Sequence, residues 1–122
     1  DGEEIVRQKM ARAVTDTRRQ RRSDPGEPDD CPVFDLHRVF STAETQAEMA
    51  AGCRSAGIGC FDCKARLCDH MWEELGPIHE RRVELARNPG RVAEILAAGA
   101  EHARQEAAVT MARVREVMHL AR

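Results

Sequence analysis

The chain has 122 residues, 33% of them charged but with a net charge of only −2, so it is one domain's worth of sequence whose bulk charge does not announce a nucleic-acid partner. Aromatics make up 3%, with no Tyr and one Trp, which argues against the exposed base-stacking platform of the usual single-stranded RNA modules. No apolar run approaches the ~20 residues of a membrane span, and the acidic start Asp1-Gly2-Glu3-Glu4 is not a signal peptide. The expected setting is therefore cytoplasmic, with reduced thiols and no membrane partner. Asp1 is not a start methionine and reads as the edge of a trimmed or excised piece.

Taken in order, Glu3 to Val14 places Ile5, Val6, Met10, Ala13 and Val14 at helical spacing, with Asp1 as a candidate cap. Arg18, Arg19, Arg21 and Arg22 then crowd into five positions, followed by the turn-rich stretch Ser23–Asp30, which leads to Cys31. Val33, Leu36, Val39 and Phe40 predict a short helix. Ser41-Thr42-Ala43-Glu44 reads as a capping box opening a helix that runs to about Ala51 and stops at Gly52. Gly57-Ile58-Gly59 predicts a tight loop, and a helix from Asp62 runs to a break or kink at Gly76-Pro77 before resuming through Leu85. Asn88-Pro89 reads as an N-cap with Pro at the first helical position, and Gly99 as an end or a close-packing point. Ala100, Ala103, Ala107, Met111, Val114 and Met118 form a final stripe. No segment alternates like a strand. The expected fold is all-α, a single domain over residues 1–122, with a cysteine-rich region at 31–63 and a small helical bundle at 62–120.

Cys31, Cys53, Cys60 and Cys63 have the spacing C-x21-C-x6-C-x2-C. A C-x2-C pair sits one helical turn apart and can turn both thiolates to one metal centre. The residues alone leave three possibilities open: an all-thiolate zinc site, an iron–sulfur cluster, or buried or disulfide-bonded cysteines. Cys68 lies about 140° round a helix from Cys63 and is expected to be a buried structural thiol. His37 and His70 are expected to be surface or partly buried side chains rather than ligands. Nothing pairs a nucleophile with a base, and Asp62 fits a helix cap better than an acid catalyst.

Several motifs then occur in a specific order: Ala13-Val14-Thr15-Asp16, Asp24-Pro25-Gly26, Cys31-Pro32-Val33-Phe34 and Gly57-Ile58-Gly59-Cys60-x-x-Cys63-Lys64. Leu75-x-Pro77-Ile78-x-Glu80-Arg81-Arg82, Gly99-Ala100-Glu101-x-Ala103-Arg104 and Thr110-Met111-x-x-Val114-Arg115-x-x-Met118-x-Leu120 follow. This series resembles the C-terminal helical, anticodon-binding part of bacterial tryptophanyl-tRNA synthetases. A subset of that family holds a 4Fe–4S cluster near the docked anticodon. The resemblance implies Cys31, Cys53, Cys60 and Cys63 as its ligands, with zinc as the alternative. It also implies tRNA(Trp) and the catalytic domain of the parent synthetase as partners, and a homodimer of the full-length enzyme. The family's HIGH-like and KMSKS-like signatures do not occur in this sequence, so the segment itself is expected not to activate tryptophan. Arg18, Arg19, Arg21 and Arg22 are the candidates for phosphate contact, against the plainer reading of a solvated basic turn. A rival reading is a metal-stapled protein-interaction or redox-sensing module without RNA binding.

Overall fold

The computed structural model describes residues 1–120, and Ala121 and Arg122, the end of the predicted 1–122 domain, lie outside them. Among the described residues the fold is all-α, with no strand. The helices are α1 (Glu3–Ala11), α2 (Pro32–Phe40), α3 (Ala43–Arg54), α4 (Cys60–Arg87) and α5 (Pro89–Val117), with a single 3-10 turn at Pro28–Asp30. The chain divides into two compact units, Asp1–Glu80 and the remainder from Arg81 onward, so the division falls within α4.

The first unit is built round a small apolar core of Met10, Val33, Leu67 and Cys68, flanked by Ala13, Cys31, Leu36, Phe40 and Met71. Cys68 is 4% exposed, as expected for a structural thiol, and burial raises its pKa. α1 ends at Ala11, three residues short of the sequence expectation, because the Lys64 ammonium donates to the Ala11 and Ala13 carbonyls at 3.0 and 2.7 Å. A cation at the last carbonyls of a helix satisfies groups that otherwise lack partners. At the other end Gly2, not Asp1, occupies the cap position, and the Asp1 carboxylate pairs with Lys9.

α3 shows a second local shift. Thr42 rather than Ser41 caps it, accepting from the Thr45 N–H at 3.2 Å, because the Ser41 hydroxyl is taken by His37. The helix also continues two residues past Gly52, which lacks a side chain where Ile58 folds back; a Cβ there would stand 2.9 Å from Ile58 Cγ2. α4 starts at Cys60 and runs through Pro77 without ending, so of the expected break or kink the break does not occur. The missing N–H leaves only the Glu73 carbonyl without its helical donor, and that residue is exposed to water.

The second unit comprises the end of α4 and the whole of α5. Asn88 Oδ1 accepts from the Arg91 N–H at 3.2 Å and Pro89 takes the first helical position, as the dipeptide predicts. α5 passes straight through Gly99, where a Cβ would meet nothing within 4 Å, so this glycine neither ends the helix nor serves a close approach. No residue of α5 is buried.

Candidate metal centre

Cys31 precedes α2 at its N-cap, Cys53 lies in the last turn of α3, and Cys60 and Cys63 occupy the first turn of α4. All four side chains line one small recess, part of it open to solvent, together with Arg19, Pro28, Val33, Phe34 and Ile58. The four thiols are free and half-buried. Cys53 and Cys60 thus sit on helix ends rather than in the loops the sequence suggested. The glycine-bearing loop of residues 55–59 carries the chain between them. Among the described residues, no three His, Cys, Asp or Glu side chains converge closely enough to grip a single metal ion.

Local chemistry explains how the recess is held. The Gly26 N–H donates to the Cys53 carbonyl at 3.0 Å, and a Cβ on Gly26 would lie 2.7 Å from Cys53 Sγ. Only glycine lets the loop pass so near the sulfur. The loop itself turns on Asp16, which is 6% exposed. Its carboxylate accepts from the Glu27 N–H at 2.8 Å, the Arg18 N–H at 2.9 Å and the Arg18 guanidinium at 3.2 Å. These donors hold its pKa down to about 2, the Glu27 and Arg18 amides contributing most. Outside the turn, Arg54 from α3 pairs with Glu27 and Asp29, and Arg38 from α2 pairs with Asp29. Both helices therefore grip the acidic turn that carries Cys31.

Two nitrogen donors face the sulfurs. Arg19 Nη1 stands 3.9 Å from Cys53 Sγ and 3.8 Å from Cys60 Sγ, while its Nη2 donates to the Ile58 and Arg22 carbonyls at 2.7 and 2.9 Å. Arg19 Nε is buried with no partner. His37 Nε2 lies 3.3 Å from Cys63 Sγ. His37 is 0% exposed, which corrects the expectation of a surface or partly buried side chain. Burial, followed by repulsion from Cys31, Cys53 and Cys60, pushes the Cys63 thiol up to about 12. Burial also raises Cys53, against the pull of Arg19. Burial makes the Cys53 and Cys63 thiolates costly, and the positive charge of a bound metal group would offset that cost. The donor set therefore fits such a group.

The four clustered arginines have different surroundings. Arg19 turns inward to the sulfurs. Arg18 is 62% exposed at its side chain and pairs with Asp16 and Asp30. Arg22 donates to the Ala56 and Gly57 carbonyls at 3.0 and 3.2 Å, fastening the loop before Cys60. Arg21 is exposed, and its backbone N–H donates to Asp24 at 2.8 Å. Arg21, Arg22, Gln20 and Phe61 surround an open concavity that reaches Cys60 and Arg19. His37 and the inward turn of Arg19 are the features that sequence reasoning missed. Neither leaves a local signal, since His37 meets a cysteine 26 positions away and Arg19 meets cysteines 34 and 41 positions away.

Comparison with known proteins gives a consistent result. The chain is 45% identical over 109 residues to the tryptophan–tRNA ligase of Deinococcus radiodurans, covering 89% of this chain and 33% of that protein. It is 42% identical over 115 residues to the tryptophan–tRNA ligase of Ralstonia nicotianae, covering 94% of this chain and 29% of that one. The Thermotoga maritima tryptophan–tRNA ligase is 40% identical over 119 residues, covering 97% of this chain and 36% of that enzyme. The chain thus spans about a third of the length of the curated relatives it matches. No family model matches it.

Proposed function

We propose, from a chain homologous over nearly its whole length to about a third of curated tryptophan–tRNA ligases, that it is the helical, C-terminal anticodon-binding part of such an enzyme. Its ligand is tRNA(Trp), and in the parent it works beside a catalytic domain that activates tryptophan. Cys31, Cys53, Cys60 and Cys63 hold a 4Fe–4S cluster. When bound, that cluster supplies an inorganic link between the ends of α2, α3 and α4 and a centre for one-electron redox chemistry.

The observation that carries this reading is the shared recess, which is lined by four cysteines from three helix ends. A tetrahedral zinc, with Zn–S bonds of about 2.3 Å, draws its sulfurs to about 3.8 Å apart. A 4Fe–4S core takes the same four thiolates, and the resemblance of the cysteine series favours it over zinc. The Arg18–Arg22 stretch, with the Arg21 side chain exposed, meets backbone phosphates beside it. A salt-dependent shift of tRNA(Trp), not matched by an unrelated tRNA, is the expected outcome in a binding assay. Equal affinity for both tRNAs contradicts specific recognition.

The unburied apolar residues of α5 favour one rival, a metal-stapled module that binds a protein rather than RNA. That reading predicts capture of a protein partner after nuclease treatment, with no tRNA shift.

A further inference from the structure

His37 makes three polar contacts in a fully buried position. Its Nδ1 lies 2.7 Å from Ser41 Oγ, and its Nε2 lies 3.2 Å from the Cys63 carbonyl oxygen and 3.3 Å from Cys63 Sγ. A carbonyl oxygen can only accept, so the proton of the neutral ring sits on Nε2. Nδ1 then accepts from the Ser41 hydroxyl, which is itself 8% exposed and held in place by the end of α2. The Ser41 N–H donates to the His37 carbonyl at 2.9 Å, closing the ring of contacts within one helical turn. Phe34 packs against the imidazole at 5.8 Å between centroids, so the ring has little freedom to turn. One N–H is therefore aimed at both the carbonyl and the sulfur of the same cysteine.

We propose that His37, oriented by Ser41, is a positioning residue for the cluster: its Nε2–H donates to the sulfur of Cys63, steadies that ligand and raises the cluster's reduction potential. This rests on the cluster reading given above. A hydrogen bond to a ligating sulfur withdraws electron density from it and favours the more negative, reduced state. Outer-shell donors of this kind change metal retention by about 10–100-fold when removed. Arg19 faces Cys53 and Cys60, so the two donors serve different sulfurs. Cys63 has no other side-chain nitrogen donor among the described contacts.

The test compares the full chain with His37→Phe, His37→Gln and Ser41→Ala after anaerobic reconstitution with iron and sulfide. Circular dichroism checks that each variant is folded. The readouts are iron content, reduction potential and the rate of iron loss to a chelator. For His37→Phe the expected result is iron loss about 10-fold faster or more. Its potential should be about 59 mV more negative, the one-electron equivalent of a tenfold change. His37→Gln can place an amide N–H near the same point, so it should restore much of both values. Ser41→Ala should fall between them. A folded His37→Phe variant with the wild-type potential and wild-type retention overturns the proposal alone. If His37→Phe does not fold, Ser41→Ala decides, and wild-type values there overturn it. Wild-type chain that takes up no iron overturns the cluster reading, and this inference with it.

Discussion

Gly26 and Asp16 show how much of the candidate site depends on single side chains, or on the lack of one. Gly26→Ala would thrust a methyl group to 2.7 Å from Cys53 Sγ. Crowding of that kind costs about 1–3 kcal/mol, and here it would push a ligand off its position. The expected outcome is a lower melting temperature together with a lower iron content per chain. Unchanged iron loading would show that the loop does not set the Cys53 position. Asp16 gives a pH dependence with a definite sign. Its carboxyl is held at about 2, below the ordinary 3.8, by the Glu27 and Arg18 amides and then the Arg18 guanidinium. The unfolded chain takes up this proton first as pH falls. The stabilisation is therefore complete above the ordinary value and fades as pH drops towards 2. Asp16→Asn should flatten that part of the acid-unfolding profile, and a profile identical to wild type would contradict the assignment. The motif containing Asp16 was visible in the sequence, but its role as the hub of the 15–27 turn was not, because its amide partner at Glu27 lies 11 residues on.

At the scale of elements, boundaries were legible where local chemistry decides them and not where tertiary partners do. Asn88-Pro89 marked the start of α5 because an N-cap and a proline act on their own turn. The end of α1 was missed because its carbonyls are claimed by Lys64, 53 and 51 residues away. Ser41 has the composition of a cap, yet His37 takes its hydroxyl and Thr42 caps α3 instead. Lys64→Met should leave two carbonyls near the core without their donor. Each such loss costs about 1–3 kcal/mol, so urea unfolding should show a lower midpoint with the α1 amides exchanging first. An unchanged midpoint would mean that water replaces the ammonium without penalty. Gly99 behaves oppositely. It lies inside an exposed helix with nothing near its missing Cβ. Gly99→Ala should therefore stabilise α5 by about 0.8–1.0 kcal/mol, visible as greater helicity on heating. A loss of helicity would show that the glycine serves a role not evident in its surroundings.

Across the whole molecule, the first unit has a small apolar core and a polar clamp, with the cysteine recess beside them. The buried residues from one side of the fold to the other are few: Met10, Val33, Phe34, Met49, Leu67 and Cys68 are its buried hydrophobics. The Arg38 and Arg54 pairs to Asp29 and Glu27 are exposed ion pairs, which contribute little each. A metal group bound across α2, α3 and α4 would be a stronger fastening, since binding energy at a folded site adds directly to stability. The helical class and the four cysteines were legible from pattern and spacing, whereas the inward turn of Arg19 emerged only from the folded chain. That turn leaves Arg21 as the exposed candidate of the basic stretch whose side chain is not engaged among the described residues, with Arg18 and Arg22 partly engaged in pairs and backbone bonds. Arg21→Ala should weaken tRNA(Trp) binding and lower the slope of log affinity against log salt by about one. A slope equal to wild type would remove Arg21 from the interface. The central claim, that the four cysteines hold a 4Fe–4S cluster, is tested most directly by anaerobic purification with a visible spectrum and iron, sulfide and zinc analysis. The account predicts a brown protein absorbing near ~400 nm with about four irons and four sulfides per chain. Colourless protein holding one zinc, or no metal after reconstitution with iron and sulfide, would contradict it.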